Sequence, residues 1–123
     1  MKYIVVPAAV GLESIAGEII KGPSGPLKIS FREFAEGRLR DLQWGQSAET
    51  LMMAVEIRAQ IRTELSVIKL ETEHWRKLLE ITNKPSPQQP YNPEIAHCIA
   101  PFIHAIQQAG DKPLAEAETV SAN

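Results

Sequence analysis

The chain has 123 residues, 44% hydrophobic and 23% charged, with a formal net charge of −2. That length holds one core and is short for two, and that composition excludes global disorder. Of 13 basic and 15 acidic residues, the stretch after Gly110 carries Lys112 against Asp111, Glu116 and Glu118. This leaves 12 of each sign in the first 110 residues and excludes bulk attraction to duplex nucleic acid or an anionic membrane as the main source of binding.

Residues 2–6 (KYIVV) form a β-branched and aromatic run ended by Pro7, the pattern of a strand or extended arm. The opening through Gly17 mimics a secretory signal, but Pro7 and Glu13 break its apolar run, so a cytoplasmic protein is expected. Residues 8–20 are ambiguous: Leu12, Ile15, Ala16 and Ile19 fit one helical face, while Gly11 and Gly17 weaken a helix. GPSGP (22–26) is a turn, and residues 18–21 and 27–29 around it form a candidate hairpin. A small N-terminal β-hairpin or extended arm is the expectation.

Ser30 with Glu33 makes a Ser-x-x-Glu capping box, and Ile29 can staple onto Phe34. The helix it opens is predicted to bury Phe31, Phe34, Ala35, Leu39 and Leu42 and to present Arg32, Glu36 and Arg40 to water. Gly37, inside that helix, is expected to mark a close backbone contact, and Gly45 after Trp44 to supply a left-handed cap. Ser47 caps a second predicted helix, residues 48–65. Its apolar residues fall in two bands, Leu51, Met52, Val55 and Ala59, and Met53, Ile57, Ile61 and Leu65, as expected of a central helix covered on two sides.

VIKL (67–70) is an extended segment able to join the N-terminal strand. Thr72 opens a third predicted helix, with Trp75, Leu78, Leu79 and Ile81 inward and Glu73–Lys77 and Arg76–Glu80 pairs outward. NKPSPQQPYNP (83–93) is a proline-rich loop. Asn92 and Pro93 begin a fourth helix that buries Ile95, Ile99, Phe102, Ile103 and Ile106, with a kink expected at Pro101 and a stop at Gly110. The fold class is therefore mostly α with some β: a three- to four-helix domain over residues 1–110, followed by a mobile acidic tail, 111–123. No apolar run approaches the ~18 residues of a membrane span.

Catalytic and metal chemistry find weak footing. Cys98 is the only cysteine, which excludes an intramolecular disulfide. His97 and His104 share a helix face but lie ~10 Å apart along it. Adjacent helical residues diverge by ~100°, so His97 is expected to face away from Cys98, which reads as a buried, inert thiol. Glu13, Glu18, Glu33, Glu36, Glu71 and Glu73 are interleaved with basic residues, as on a solvated surface. The prolines of GPSGP remove backbone donors that a phosphate cradle needs. No catalytic residue, metal ligand or cofactor site is assigned.

Arg58 and Arg62, four apart on one helix face, repel each other unless something answers them: an acid on a neighbouring helix, or an acidic partner surface. Trp44 and Trp75 read as core or groove residues, either of which could stay partly exposed for a partner, and with the two arginines they are the candidate partner-binding residues. A helix-turn-helix over residues 31–65 would offer Arg58, Gln60 and Arg62 to DNA, few donors for a recognition helix.

The order of the pieces resembles that of a known group: IVVP, then ISFREF, KLETEHWRKLLEI and YNPEIAHCIAPFIHAI, across residues 3–108. This layout is similar to that of small helical proteins encoded among tailed-phage head and tail morphogenesis genes, including the tail-assembly-chaperone type. The resemblance implies a non-enzymatic assembly chaperone or adaptor in a bacterial host cytoplasm, binding a phage structural protein and able to form a homo-oligomer. A DNA-binding regulator and an inhibitor of a host factor are the alternatives.

Overall fold

Ser30 sets the first helix. In the computed structural model, which describes residues 1–112, Ser30 Oγ accepts from Glu33 N at 3.1 Å and Glu33 Oε1 accepts from Ser30 N at 3.2 Å, so both halves of the capping box form. Helix α1 runs Phe31–Leu39, short of the predicted length. The chain then leaves helical geometry at Asp41, whose carboxylate caps a 3₁₀ turn, Leu42–Gln46, by accepting from Gln43 N at 2.9 Å. Leu42, expected inside, is consequently turned outward, and Gly45 has no left-handed backbone.

Ser47 accepts from Thr50 N at 3.1 Å and opens helix α2, Ala48–Ile61. α2 stops before the predicted Leu65 because Glu64 adopts a left-handed backbone (φ 56°), with its carboxylate held by Arg32. Strand β1, Lys2–Val5, pairs antiparallel with the later strand Val67–Leu70, in the register Lys2↔Leu70 to Val5↔Val67. The expected joining of VIKL to the N-terminal strand is thus realised, with Ile4 buried opposite Ile68. On its other edge, Tyr3 exchanges both backbone hydrogen bonds with Gly110.

Between β1 and α1 the chain makes two short antiparallel pairs. β2 (Val10–Gly11) meets β5 (Lys28–Ile29), and β3 (Lys21–Gly22) meets β4 (Gly25–Pro26) across the Pro23–Ser24 turn; Val67–Leu70 is β6. The hairpin is real but its strand 28–29 pairs mainly with 10–11. No helix forms at 12–19. Gly17, at φ 89°, closes a turn on Ser14 that leaves Ile15 and Ile19 exposed.

Helix α3, Thr72–Asn83, buries Leu78 and Ile81, with Trp75 and Leu79 half-buried. Its outer charges pair differently from expectation, Lys77 with Glu80 at 3.2 Å. Asn92 Oδ1 accepts from Glu94 N and opens a 3₁₀ turn, Pro93–Ile95, which leads into helix α4, Ala96–Gln107, through Pro101. Among the described residues, four helices and small antiparallel strand pairs make a mostly helical α+β fold. Of the predicted tail, residues 113–123 lie outside the described residues; Asp111 pairs with Lys2 at 2.7 Å.

Among the described residues there is one core. Phe31 and Phe34 of α1, Ile57 and Ile61 of α2, Leu78 and Ile81 of α3, and Phe102 and Ile106 of α4 meet above Ile4 and Ile68 of the β1–β6 pair. Gly37 departs from expectation. A Cβ there would meet nothing within 4 Å, so no backbone approaches it. Gly37→Ala is therefore expected to raise stability by about 0.5–1 kcal/mol in thermal unfolding, since alanine is the better helix former. A lower melting temperature would contradict the open space described.

Candidate functional site

α2 buries only one side. Ala54, Ile57 and Ile61 face the core, and Met53 is half-buried. The other predicted band faces outward: Leu51, Met52 and Val55 are 52, 55 and 52% exposed, and Ala59 is exposed beside them. The expectation of a central helix covered on two sides is therefore overturned. The 3₁₀ turn Leu42–Gln46, α1, β6 and α3 all meet α2, yet among the described residues none of them buries the outer band.

The edges of this band carry opposite charges. Glu49 and Glu56 lie three and four residues from Met52 on one edge; Arg58 and Arg62 follow Val55 by three and seven on the other. Glu56 Oε2 is 3.3 Å from His74 Nε2, and Arg62 Nε donates to Glu36 Oε2 at 2.8 Å. Arg62 therefore has its answer on α1, where Glu36 also receives Arg32 at 3.5 Å. Arg58 is exposed and has no ion pair among the described residues. It lines a groove of about 330 Å³ with Glu36, Leu39, Arg40 and Arg62, so three guanidinium groups border one carboxylate.

The tryptophans take core and core-edge positions, the first of the two readings they allowed. Trp44 is 1% exposed, with Nε1 donating to Arg38 O at 3.0 Å; the 3₁₀ turn that replaces the end of the predicted helix folds it inward. Trp75 is half-buried, its Nε1 donates to Ile106 O at 2.8 Å, and Lys2 Nζ covers its ring at 4.6 Å. Trp44 therefore presents no ring face to a docking protein.

His97, Cys98 and Glu13 do come together, against the expected divergence. His97 Nε2 lies 3.6 Å from Cys98 Sγ and 3.2 Å from Glu13 Oε1, because the imidazole swings back across its own turn toward Glu13. Both contacts use the same ring nitrogen. A proton relay needs the base to take the thiol proton on one nitrogen while the acid orients the other, so this is no nucleophilic triad. Cys98 is buried, and its sulfur is occupied by the Glu13 backbone, accepting from N at 3.4 Å and donating to O at 3.5 Å. His104 is exposed farther along α4. Among the described residues no three metal-type side chains converge, and no helix is long and apolar enough to cross a membrane.

Sequence reasoning missed two buried polar residues. Asp41, 2% exposed, accepts from Ser86 N at 2.8 Å and from the Ser86 hydroxyl, tying the proline-rich loop to α1. Arg38 is 9% exposed and lies 4.5 Å over the Tyr91 ring. Its spacing carried a signal: seven after Phe31 and four after Phe34, it sits on the buried stripe. Burial pushes the Tyr91 hydroxyl pKa up, the Arg38 charge opposing it; that hydroxyl donates to Thr82 O at 2.6 Å. No protein-family model, curated protein or solved structure matches this chain.

Proposed function

We propose that this chain is a non-enzymatic protein-interaction module that binds an amphipathic helix of a different protein on the outer face of α2. The observation that carries the reading is the uncovered band Leu51, Met52 and Val55, three large apolar side chains each more than half exposed on one helix. A single exposed leucine needs no explanation, but a contiguous band rimmed by charge is the pattern of an interaction surface.

Charge decides what kind of helix fits. Antiparallel helices related by a twofold axis bring like edges together, so a second copy would set Arg58 against the arginine edge of its twin. A partner with apolar residues at helical spacing and a carboxylate opposite Arg40 and Arg58 is complementary instead. DNA is a poorer fit. A recognition helix offers donors to base edges, whereas α2 turns leucine, methionine and valine outward. With the resemblance to tailed-phage morphogenesis proteins, the occupant we favour is a phage structural component, held in the bacterial host cytoplasm during assembly.

Photo-crosslinking in infected or expressing bacterial cells tests this reading. A photoreactive residue at Val55 is expected to trap one heterologous protein through a helical segment bearing acidic residues. The same probe at exposed Pro87, in the proline-rich loop, is expected to trap none. Adducts made only with a second copy, or equal trapping at Pro87, would overturn the proposal.

A further inference from the structure

Arg38 and Gly37 both border a cavity of about 260 Å³ between α1, the proline-rich loop and the start of α4. Arg38 is nine-tenths buried yet has no carboxylate within ion-pair distance among the described residues. Its guanidinium makes one hydrogen bond, Nη1 to Gln89 O at 3.2 Å, and Nε is buried without a partner. The Tyr91 ring offsets part of that charge. A buried cation answered by one carbonyl and a ring is nonetheless under-satisfied, and such a group calls for an explanation.

Gly37 adds a second, independent oddity. It weakens the middle of α1 while no neighbouring atom requires its missing side chain. Gly37 lines the same cavity, and a side chain added there would meet open space. The remaining walls are mainly apolar, with Phe34, Tyr91 and Ile99 prominent, and the carboxylate on the lining, Glu33, is engaged in the Ser30 capping box.

We propose that this cavity binds a small monocarboxylic acid on an apolar stem, with the carboxylate on Arg38 and the stem against Phe34, Tyr91 and Ile99. With Nη1 on Gln89, the side-on edge formed by Nε and Nη2 is the planar fork that a carboxylate takes with both oxygens. The apolar walls select against inorganic anions, and the volume lies just below that of drug-sized sites, fitting one ring or a branched chain. Nε itself is closed off from water, so seating the acid requires the side chains around Arg38 to part, while the Tyr91 ring, its centroid 4.5 Å from the guanidinium carbon, stays stacked over the guanidinium face.

The test is an NMR titration of the full chain with phenylacetate and with its neutral isostere, phenylacetamide. Phenylacetate is expected to give saturable shifts at Gly37, Tyr91 and Ile99, with a dissociation constant of about 1 mM or tighter and binding at least about tenfold stronger than the amide. Arg38→Met is expected to abolish that preference. Because Arg38 also clamps the loop, Gly37→Leu supplies a variant that leaves the guanidinium in place; filling the cavity, it is expected to weaken phenylacetate at least about tenfold in a folded protein. Glu33→Gln, which keeps the capping box, is expected to tighten binding about two- to threefold by removing a like charge. Equal binding of acid and amide, undiminished binding by Gly37→Leu, or no saturable shift up to about 10 mM would each overturn the proposal.

Discussion

Phe102→Ala is expected to lower the unfolding free energy by about 3–5 kcal/mol, a large fraction of the ~5–15 kcal/mol that holds a domain folded. Phe102 is fully buried and joins α4 to α1 through two rings, edge-on to Phe31 at 6.1 Å and stacked on Phe34 at 5.6 Å between centroids. Truncation removes the transfer free energy of the ring, opens a cavity and forfeits aromatic pairing worth roughly 0.5–1.5 kcal/mol per pair. Neighbours collapse poorly here, because Phe31 is fixed by the capped start of α1 and Ile106 by its own burial. Urea unfolding reads the loss as a lower midpoint at unchanged slope. A loss below about 1.5 kcal/mol would mean that the α1–α4 contact is not the centre of the core.

Asp41→Ala is expected to cost about 3 kcal/mol, more than an ordinary cap. One carboxylate serves two segments: Gln43 N at the start of the 3₁₀ turn, and Ser86 through both its backbone N–H and its hydroxyl. Removing it leaves the Ser86 N–H buried without an acceptor and frees the loop from the end of α1. Burial alone would raise the Asp41 pKa, but the hydrogen bonds from Ser86 and Gln43 outweigh it and hold the carboxyl below its ordinary range. A depressed folded-state pKa means that the contribution is complete above the unfolded value, about pH 4, and is lost as pH falls through the folded value. Wild-type stability should therefore drop on the acid side of about pH 4, and Asp41→Ala should show a shallower drop over that range. Equal acid sensitivity in the two proteins would place the depressed carboxyl elsewhere.

What was legible in the sequence had local causes. Ser30 with Glu33, and Ser47, each satisfy orphan backbone donors within three residues, so α1 and α2 begin where expected; Asn92 with Pro93 caps a 3₁₀ turn instead, and α4 starts three residues later, at Ala96. VIKL pairs with KYIVV because both are short β-branched runs, and their pairing buries Ile4 opposite Ile68. The failures had distant causes. α1 ends early because Asp41 is bound to Ser86, 45 residues on, and no local rule reports that. Lys77 takes Glu80 where helical spacing also offered Glu73.

The candidate surface was legible as residues and misread as packing. Periodicity marks the Leu51–Val55 band as apolar, and the step from apolar to buried assumes enough neighbours to cover it. No element that meets α2 among the described residues covers this band, so the assumption fails there. Arg62 belongs to Glu36, and Arg58 remains beside the band. The pair that looked like one site in sequence thus divides into a structural arginine and an available one.

The most direct test combines Leu51→Gln with Val55→Gln and measures folding stability and affinity for the protein crosslinked through position 55. Stability should stay within about 0.5 kcal/mol of wild type, since neither side chain belongs to the core, while affinity falls at least about tenfold. Undiminished affinity would contradict an interaction surface on the outer face of α2, and a stability loss of several kcal/mol would show that the band is core after all.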